Sequence, residues 1–232
     1  MAKSKLPRID FDWTPKLAYI IGLLTTDGSL SKDGRHITML SSDLQLLQTF
    51  CSCFNLPKQQ IKKRLPSSFA QQYTCKQSYR IQFGNVQFHY WLIKIGLHPN
   101  KTHTLKEIKI PDQYFKDFLR GWFDGDGTIY TYTDYYHTNK NPKYIYQRLY
   151  VKLCGVSIYH LKWLFKTIRR LTILKGAFQI QKSKNDRKDR VPYGEIKFSK
   201  KESIELLNWL YYKPNLPCLK RKYQIAKPYL KK

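Results

Sequence analysis

Acidic residues are scarce in this chain: 16 Asp+Glu stand against 42 Lys+Arg, a formal net charge of +26 over 232 residues, spread along the whole length and not confined to a tail. A chain so poor in acid is expected to seek polyanions, whether nucleic acid, an anionic membrane or acidic protein. Long apolar runs are missing as well. The longest near the N-terminus, residues 17–24, is far too short to span a bilayer. Met1-Ala2-Lys3-Ser4-Lys5 leads into no apolar segment with a small-residue cleavage site. Those two absences point away from the membrane and toward a soluble, unexported, intracellular protein. Cysteine spacing suited to metal is absent too: Cys51, Cys53, Cys75, Cys154 and Cys218 include one C-x-C pair and no C-x-x-C. That argues against a zinc ribbon or a disulfide framework and leaves reduced cysteines acting as small packing residues. A nucleophile at residue 1 and a terminal His-Asn pair are also missing, the chain starting Met1-Ala2 and ending Lys231-Lys232, so protein self-splicing is not expected.

Aromatic residues are plentiful, with 18 Tyr and 12 Phe beside the basic side chains. That mixture suits grooves that contact phosphates and bases together, although most of the rings must serve the core. Hydrophobic periodicity predicts a helix over residues 14–27, with Leu17, Ile20, Ile21 and Leu24 on one face, stopped by Gly28 as a left-handed cap. Two short strands around the Asp33-Gly34 turn follow, then a helix over 42–54, a basic run over 60–65, a strand over 79–83 and a helix over 86–95. Pro99 and Pro111 bracket a connecting segment. The same order then restarts: a helix over 112–126 stopped by Gly127, strands near 128–135 and 144–154, a helix over 157–171, strands near 177–181 and 195–198, and a helix over 201–211. The expected domains are a first half, 1–98, a linker, 99–112, and a second half, 113–232, each αββαββα.

The register of the repeat can be tested. Gly22 to Gly121 and Asp27 to Asp126 are both steps of 99 positions (121 − 22 and 126 − 27), so both halves carry G-x-x-x-x-D-G. Each acid stands at the last turn of a helix, facing the negative end of the macrodipole, an unfavourable place for an anion. A hard divalent cation compensates such an acid, accepting one or two carboxylates and sharing its remaining sites with phosphate oxygens and water. Gly22 and Gly121 would let the two helices pack closely and bring Asp27 and Asp126 side by side, a metal-assisted phosphodiester hydrolysis site. Read alone, either motif is more simply an Asp that begins a turn and a Gly that caps a helix.

Written out, the segments are Ile20-Ile21-Gly22-Leu23-Leu24-Thr25-Thr26-Asp27-Gly28 and Leu119-Arg120-Gly121-Trp122-Phe123-Asp124-Gly125-Asp126-Gly127. They resemble the LAGLIDADG motif of homing endonucleases, in the double-motif form, and the resemblance covers residues 14–223. It implies an α/β (α+β) fold of two pseudo-twofold halves forming a saddle over double-stranded DNA, with one monomer supplying both acids. It implies Mg²⁺, with Mn²⁺ as a substitute, short 3′ overhangs, a long asymmetric target and a role in intron homing. It further implies that the later acid, Asp27 or Asp126, carries the chemistry, so that Thr25 in place of an acid equivalent to Asp124 does not threaten activity.

Auxiliary lysines are expected near the scissile phosphates, to orient water and neutralise developing charge. The places after the first strand pair where family members often carry lysine hold Leu40-Ser41-Ser42 and Gly155-Val156-Ser157. Lys101 and Lys220, with Lys222 as the alternative to Lys220, are therefore the candidates; the other reading is surface lysines touching phosphate or nothing. For DNA contact, Ile145, Leu149, Val151 and Leu153 are expected to point inward and Tyr146, Arg148, Tyr150 and Lys152 outward, with Gln147 breaking the pattern. Arg80 and Gln82, Gln179 and Gln181, and Lys197 and Ser199 show the same alternation, and these side chains suit major-groove base edges. Lys62-Lys63-Arg64 and the run 182–190 suit phosphates, which position without specifying. Two other functions compete. A splicing maturase binding intron RNA, or a non-cutting regulator, would use the same scaffold. A different nuclease class would use Asp186 or Asp189 with Glu195-x-Lys197, which leaves the duplication unexplained. A Lys- and Tyr-rich composition suits an A·T-rich gene of an organelle, chloroplast or mitochondrion.

Overall fold

A computed structural model of the chain describes residues 11–64, 76–181 and 191–231. The basic run 182–190, with Asp186 and Asp189, and Cys75 lie outside the described residues. The chain divides into two compact units, Met1–Gly125 with Pro217–Leu219, and Asp126–Leu216 with Lys220–Lys232.

In the first unit, helix α1 (Pro15–Thr26) begins where the Thr14 hydroxyl accepts a hydrogen bond from the Leu17 N–H at 3.1 Å and Pro15 takes the first helical position. Leu17 to Thr25 are all buried, so α1 is a central helix with no solvent face along that stretch. It runs without a loop into β1 (Gly28–Leu30). Asp27 closes it in the right-handed region, φ −86° and ψ −2°. The expected left-handed cap at Gly28 is therefore not adopted; among the described glycines, positive φ occurs at Gly34, Gly96 and Gly176. Space demands glycine at 28, because a Cβ there would lie 2.5 Å from the Leu24 carbonyl oxygen.

Strand β2 (His36–Ser41) returns across the Gly34 turn (φ 71°), and α2 (Leu44–Phe54) ends on left-handed Asn55 (φ 53°). Next come β3 (Lys62–Arg64), β4 (Ser78–Gly84) and α3 (Val86–Ile95), closed by Gly96 at φ 111°. The antiparallel sheet runs β1-β2-β4-β3. Ile37, Met39, Ile81 and Phe83 on its inner face are buried, and Phe54 joins sheet to helices with its ring 5.2 Å from Phe83 and 5.0 Å from Phe88. Each such fully buried side chain stabilises by about 1.5–3 kcal/mol. Helix α4 (Asp112–Asp126) follows; it opens the second repeat of the sequence, yet its residues to Gly125 belong to the first compact unit.

The second unit repeats the plan. Strands β5 (Gly127–Asp134) and β6 (Tyr146–Gly155), helix α5 (Ile158–Leu171), strands β7 (Ala177–Gln181) and β8 (Tyr193–Phe198) and helix α6 (Lys200–Leu210) give a sheet in the matching order β5-β6-β8-β7. Leu149, Val151, Leu153, Ile196 and Phe198 face α5 and α6. Ser203 of α6 stitches that layer, donating to the Phe198 carbonyl at 2.8 Å and accepting from the Val151 N–H at 3.0 Å. Ile145 departs from the alternation: it precedes the strand, its N–H bonds to the Lys143 carbonyl in a turn, and it is 50% exposed. Helix α7 (Lys220–Ala226) adds to the order that periodicity predicts, because its seven residues carry too little periodicity to read from sequence. The fold is α+β, αββαββα twice, with α7 added. Among the described residues no helix is long and apolar enough to cross a membrane.

Candidate active site and nucleic-acid faces

Two glycines bring α1 and α4 into backbone contact inside the first unit. A Cβ at Gly22 would stand 2.1 Å from the Phe118 carbonyl oxygen, and one at Gly121 would stand 2.1 Å from the Tyr19 carbonyl oxygen, so no side chain fits at either place. Near the C-terminal ends, a Cβ at Gly125 would stand 2.0 Å from the Thr26 hydroxyl oxygen. Asp27 follows Thr26 directly and is half-buried; Asp126 follows Gly125, closes α4 and is exposed. Asp27 is fixed by its own backbone, its N–H bonded to the Leu23 carbonyl at 3.0 Å and its carbonyl accepting from the Leu40 N–H at 3.2 Å. Each acid sits where its helix presents unsatisfied carbonyls, so a cation there is favoured.

A buried lysine reaches the glycine after each acid. Lys101, 8% exposed, donates through Nζ to the Gly28 carbonyl, and Lys222, 3% exposed, donates through Nζ to the Gly127 carbonyl. Lys220 does not share this arrangement: it starts α7 and is exposed. Lys222 is thus the counterpart of Lys101. The signal that could have separated the two candidates is helical phase, which requires knowing that 220–226 is a helix.

Asp124, the earlier acid of the second motif, is 1% exposed and structural in its contacts. It accepts from the Tyr19 hydroxyl and from the Leu219 N–H, both at 2.8 Å. Burial first, and the Asp124 charge second, push the Tyr19 hydroxyl well above its usual pKa. Thr25, at the same place in the first motif, donates instead to the Ile21 carbonyl at 2.7 Å. Arg120, fully buried, pairs with Asp117 at 2.8 Å, donates to the Pro217 carbonyl at 3.0 Å and lies 5.3 Å from the Tyr19 ring centroid. Gln45 holds the Cys218 carbonyl at 3.0 Å. Three polar side chains therefore fix the segment 217–219 that leads into α7. These contacts link residues far apart in sequence and left no local signal.

Among the described residues each sheet has one face packed on helices and one that no helix covers. On the open face of the first, strand register aligns Arg80 with Lys62 and Leu40, and Gln82 with Thr38. Arg64 shares that face; Lys63, one residue out of phase, lies on the other. On the open face of the second, Tyr146, Arg148, Tyr150 and Lys152 of β6 align with Asp134, Tyr132, Tyr130 and Thr128 of β5, and Lys152 also with Lys197 of β8. Gln179 and Gln181 of β7 stand beside Glu195 and Tyr193 on the same face, with the two glutamines 3.2 Å apart.

On that second face Tyr130, Tyr132 and Asp134 of β5 join the expected residues of β6 and β8. Tyr130, Tyr132 and Tyr150 stack with centroids 5.4–6.4 Å apart, and Lys197 Nζ sits 4.3 Å over Tyr150. Arg148 pairs with Asp134, and Lys152 with Glu195, both at 2.9 Å. The Tyr136 N–H and then Arg148 hold the Asp134 carboxyl below its usual pKa, while Glu195 raises that of Lys152. Glu195 is thereby engaged by a lysine across the sheet.

Among the described residues no three His, Cys, Asp or Glu side chains cluster tightly enough to hold a metal alone. Asp27 and Asp126 offer hard carboxylate oxygens, the donors Mg²⁺ takes when phosphate and water complete its shell. Each carboxylate taken singly suits a hard cation that also accepts phosphate and water.

No protein-family profile matches the chain, and no curated protein sequence does either. Solved structures do. The LAGLIDADG homing endonuclease I-LtrWI bound to its target DNA superposes with a TM-score of 0.58 at 14% identity, over 93% of this chain and 89% of that one. I-SmaMI, bound to uncleaved DNA target in the presence of calcium ions, gives 0.58 at 11% identity over 94% and 91%. Full-length WhiA from Thermatoga maritima gives 0.51 at 14% identity, over 96% of this chain and 63% of that one. At such identities the likeness is one of fold: the chain has the LAGLIDADG fold. Intron RNA finds no support among these structures.

Proposed function

We propose that the protein is a site-specific DNA endonuclease of the homing type, cutting both strands of a long asymmetric target by metal-dependent hydrolysis and leaving short 3′ overhangs. The observation that carries this reading is the repeated cluster of an acid, the glycine after it and a buried lysine: Asp27-Gly28 with Lys101, and Asp126-Gly127 with Lys222. Fold alone would not carry it, since WhiA shares the fold and is not described as an endonuclease.

In this reading Asp27 and Asp126 hold divalent cations, Mg²⁺ or Mn²⁺, against the scissile phosphates. The metal, when bound, activates water and stabilises the leaving oxygen. Lys101 and Lys222 keep positive charge at each acid, and their bonds to Gly28 and Gly127 fix where that charge lies. The open sheet faces hold the duplex, with Arg80, Gln82, Tyr146, Arg148, Tyr150, Lys152, Gln179, Gln181 and Lys197 toward bases and Lys62 and Arg64 toward phosphates. Two motifs in one chain make a monomer sufficient.

A second reading, a non-cutting DNA-binding regulator, is favoured by the likeness to WhiA. Incubating purified protein with a randomised or host-derived DNA library in Mg²⁺, Ca²⁺ and EDTA separates the two. The endonuclease cuts at one long site in Mg²⁺ only; selective binding without scission in Mg²⁺ means the regulator. Lys222→Met is expected to slow cutting by at least about tenfold, Lys220→Met to leave it near normal.

A further inference from the structure

The open face of the first sheet contains a concave groove of about 360 Å³, lined by His36, Gln60, Lys62, Arg80 and Gln82 among others. No acid lines it. Arg80 and Gln82 stand two residues apart on β4, hence on one face, and Arg80 donates through Nη2 to the Gln82 amide oxygen. That bond holds the guanidinium plane while leaving most of its five donors available. It also occupies the amide oxygen that a glutamine needs to accept from the adenine amino group, so Gln82 is a poor adenine reader as it stands.

We propose that Arg80 is a specificity-determining residue that reads one guanine of the target, with Gln82 as the positioning residue that presents it and Lys62 gripping a neighbouring phosphate. Guanine offers two adjacent major-groove acceptors, N7 and O6, to a fork that has only donors; adenine and cytosine offer an amino donor there, and thymine a single acceptor beside a methyl group. The inference rests on the DNA-binding reading above.

The test is selection from a randomised duplex library in Ca²⁺ by the wild-type protein and by Arg80→Lys and Gln82→Ala. Wild type is expected to select guanine at one fixed position. Arg80→Lys keeps the charge but loses the fork, and should lower preference for guanine there by roughly 10–100-fold with other positions unchanged. Gln82→Ala should weaken the same position by less. Replacing that guanine by 7-deazaguanine should reproduce the loss in the wild-type protein, with no variant involved, and add little in Arg80→Lys. A loss that is uniform across sequences marks a phosphate contact and overturns the proposal, as does an unchanged guanine preference. Wild-type protein that selects no sequence overturns the DNA-reading premise itself. Selective binding without Mg²⁺-dependent cutting sinks only the endonuclease, and leaves the Arg80 comparison to decide this inference.

Discussion

At the scale of single residues, the tightest constraints sit on glycine and on buried polar groups. Alanine at Gly121 puts a methyl group 2.1 Å from a backbone carbonyl, and backbone cannot swing aside as a side chain tip can. Gly121→Ala should therefore destabilise the protein by about 1–3 kcal/mol, read from urea unfolding, and Gly22→Ala should do the same. Unchanged midpoints would mean the helices are not in contact there. The cysteines give a pH prediction. Burial pushes the Cys51, Cys53 and Cys154 thiols from 9.0 up to about 11. A folded pKa above the unfolded one means the neutral thiol favours the fold. Its contribution is whole below pH 9 and is lost as pH rises through 11. Thiol labelling should accordingly be slow at pH 8, and the thermal midpoint should fall between pH 9 and 11; a flat midpoint would remove burial as the cause.

Elements were legible where their pattern was local. The helices over 86–95 and 112–126 and the strand over 177–181 have the bounds that periodicity indicates, because caps, glycines and apolar spacing agree there. Pairing partners were not legible. Lys62, Lys63 and Arg64 read as one basic run, yet strand parity sends Lys63 to the face away from Arg80. Lys62→Glu should weaken DNA binding several-fold more than Lys63→Glu in a titration at fixed salt, and equal losses would remove the face assignment. Lys220 and Lys222 stayed alternatives for a similar reason, since only the turn of α7 separates them.

The whole molecule shows the repeat twice over, in sequence as two G-x-x-x-x-D-G segments and in structure as two four-stranded sheets of identical order. The two acids of the candidate site were legible because duplication turns a weak motif into a strong one: register and the motif resemblance together nominate Asp27 and Asp126. The tyrosine stack on β5 and β6, the Asp134 and Glu195 pairs and the Asp124 contacts were not, because each joins residues brought together only by the fold. A charge of +26 supplies affinity for any polyanion and hence no evidence of cutting. Evidence of cutting must come from the acids. Strand-resolved cleavage of the selected target in Mg²⁺ by wild type, Asp27→Asn and Asp126→Asn is the decisive measurement. Double-strand scission by wild type, with each variant binding normally but nicking one strand or not cutting at all, is the expected result. Full cutting by both variants, or binding without scission by wild type, would contradict the assignment of the two aspartates as the catalytic pair.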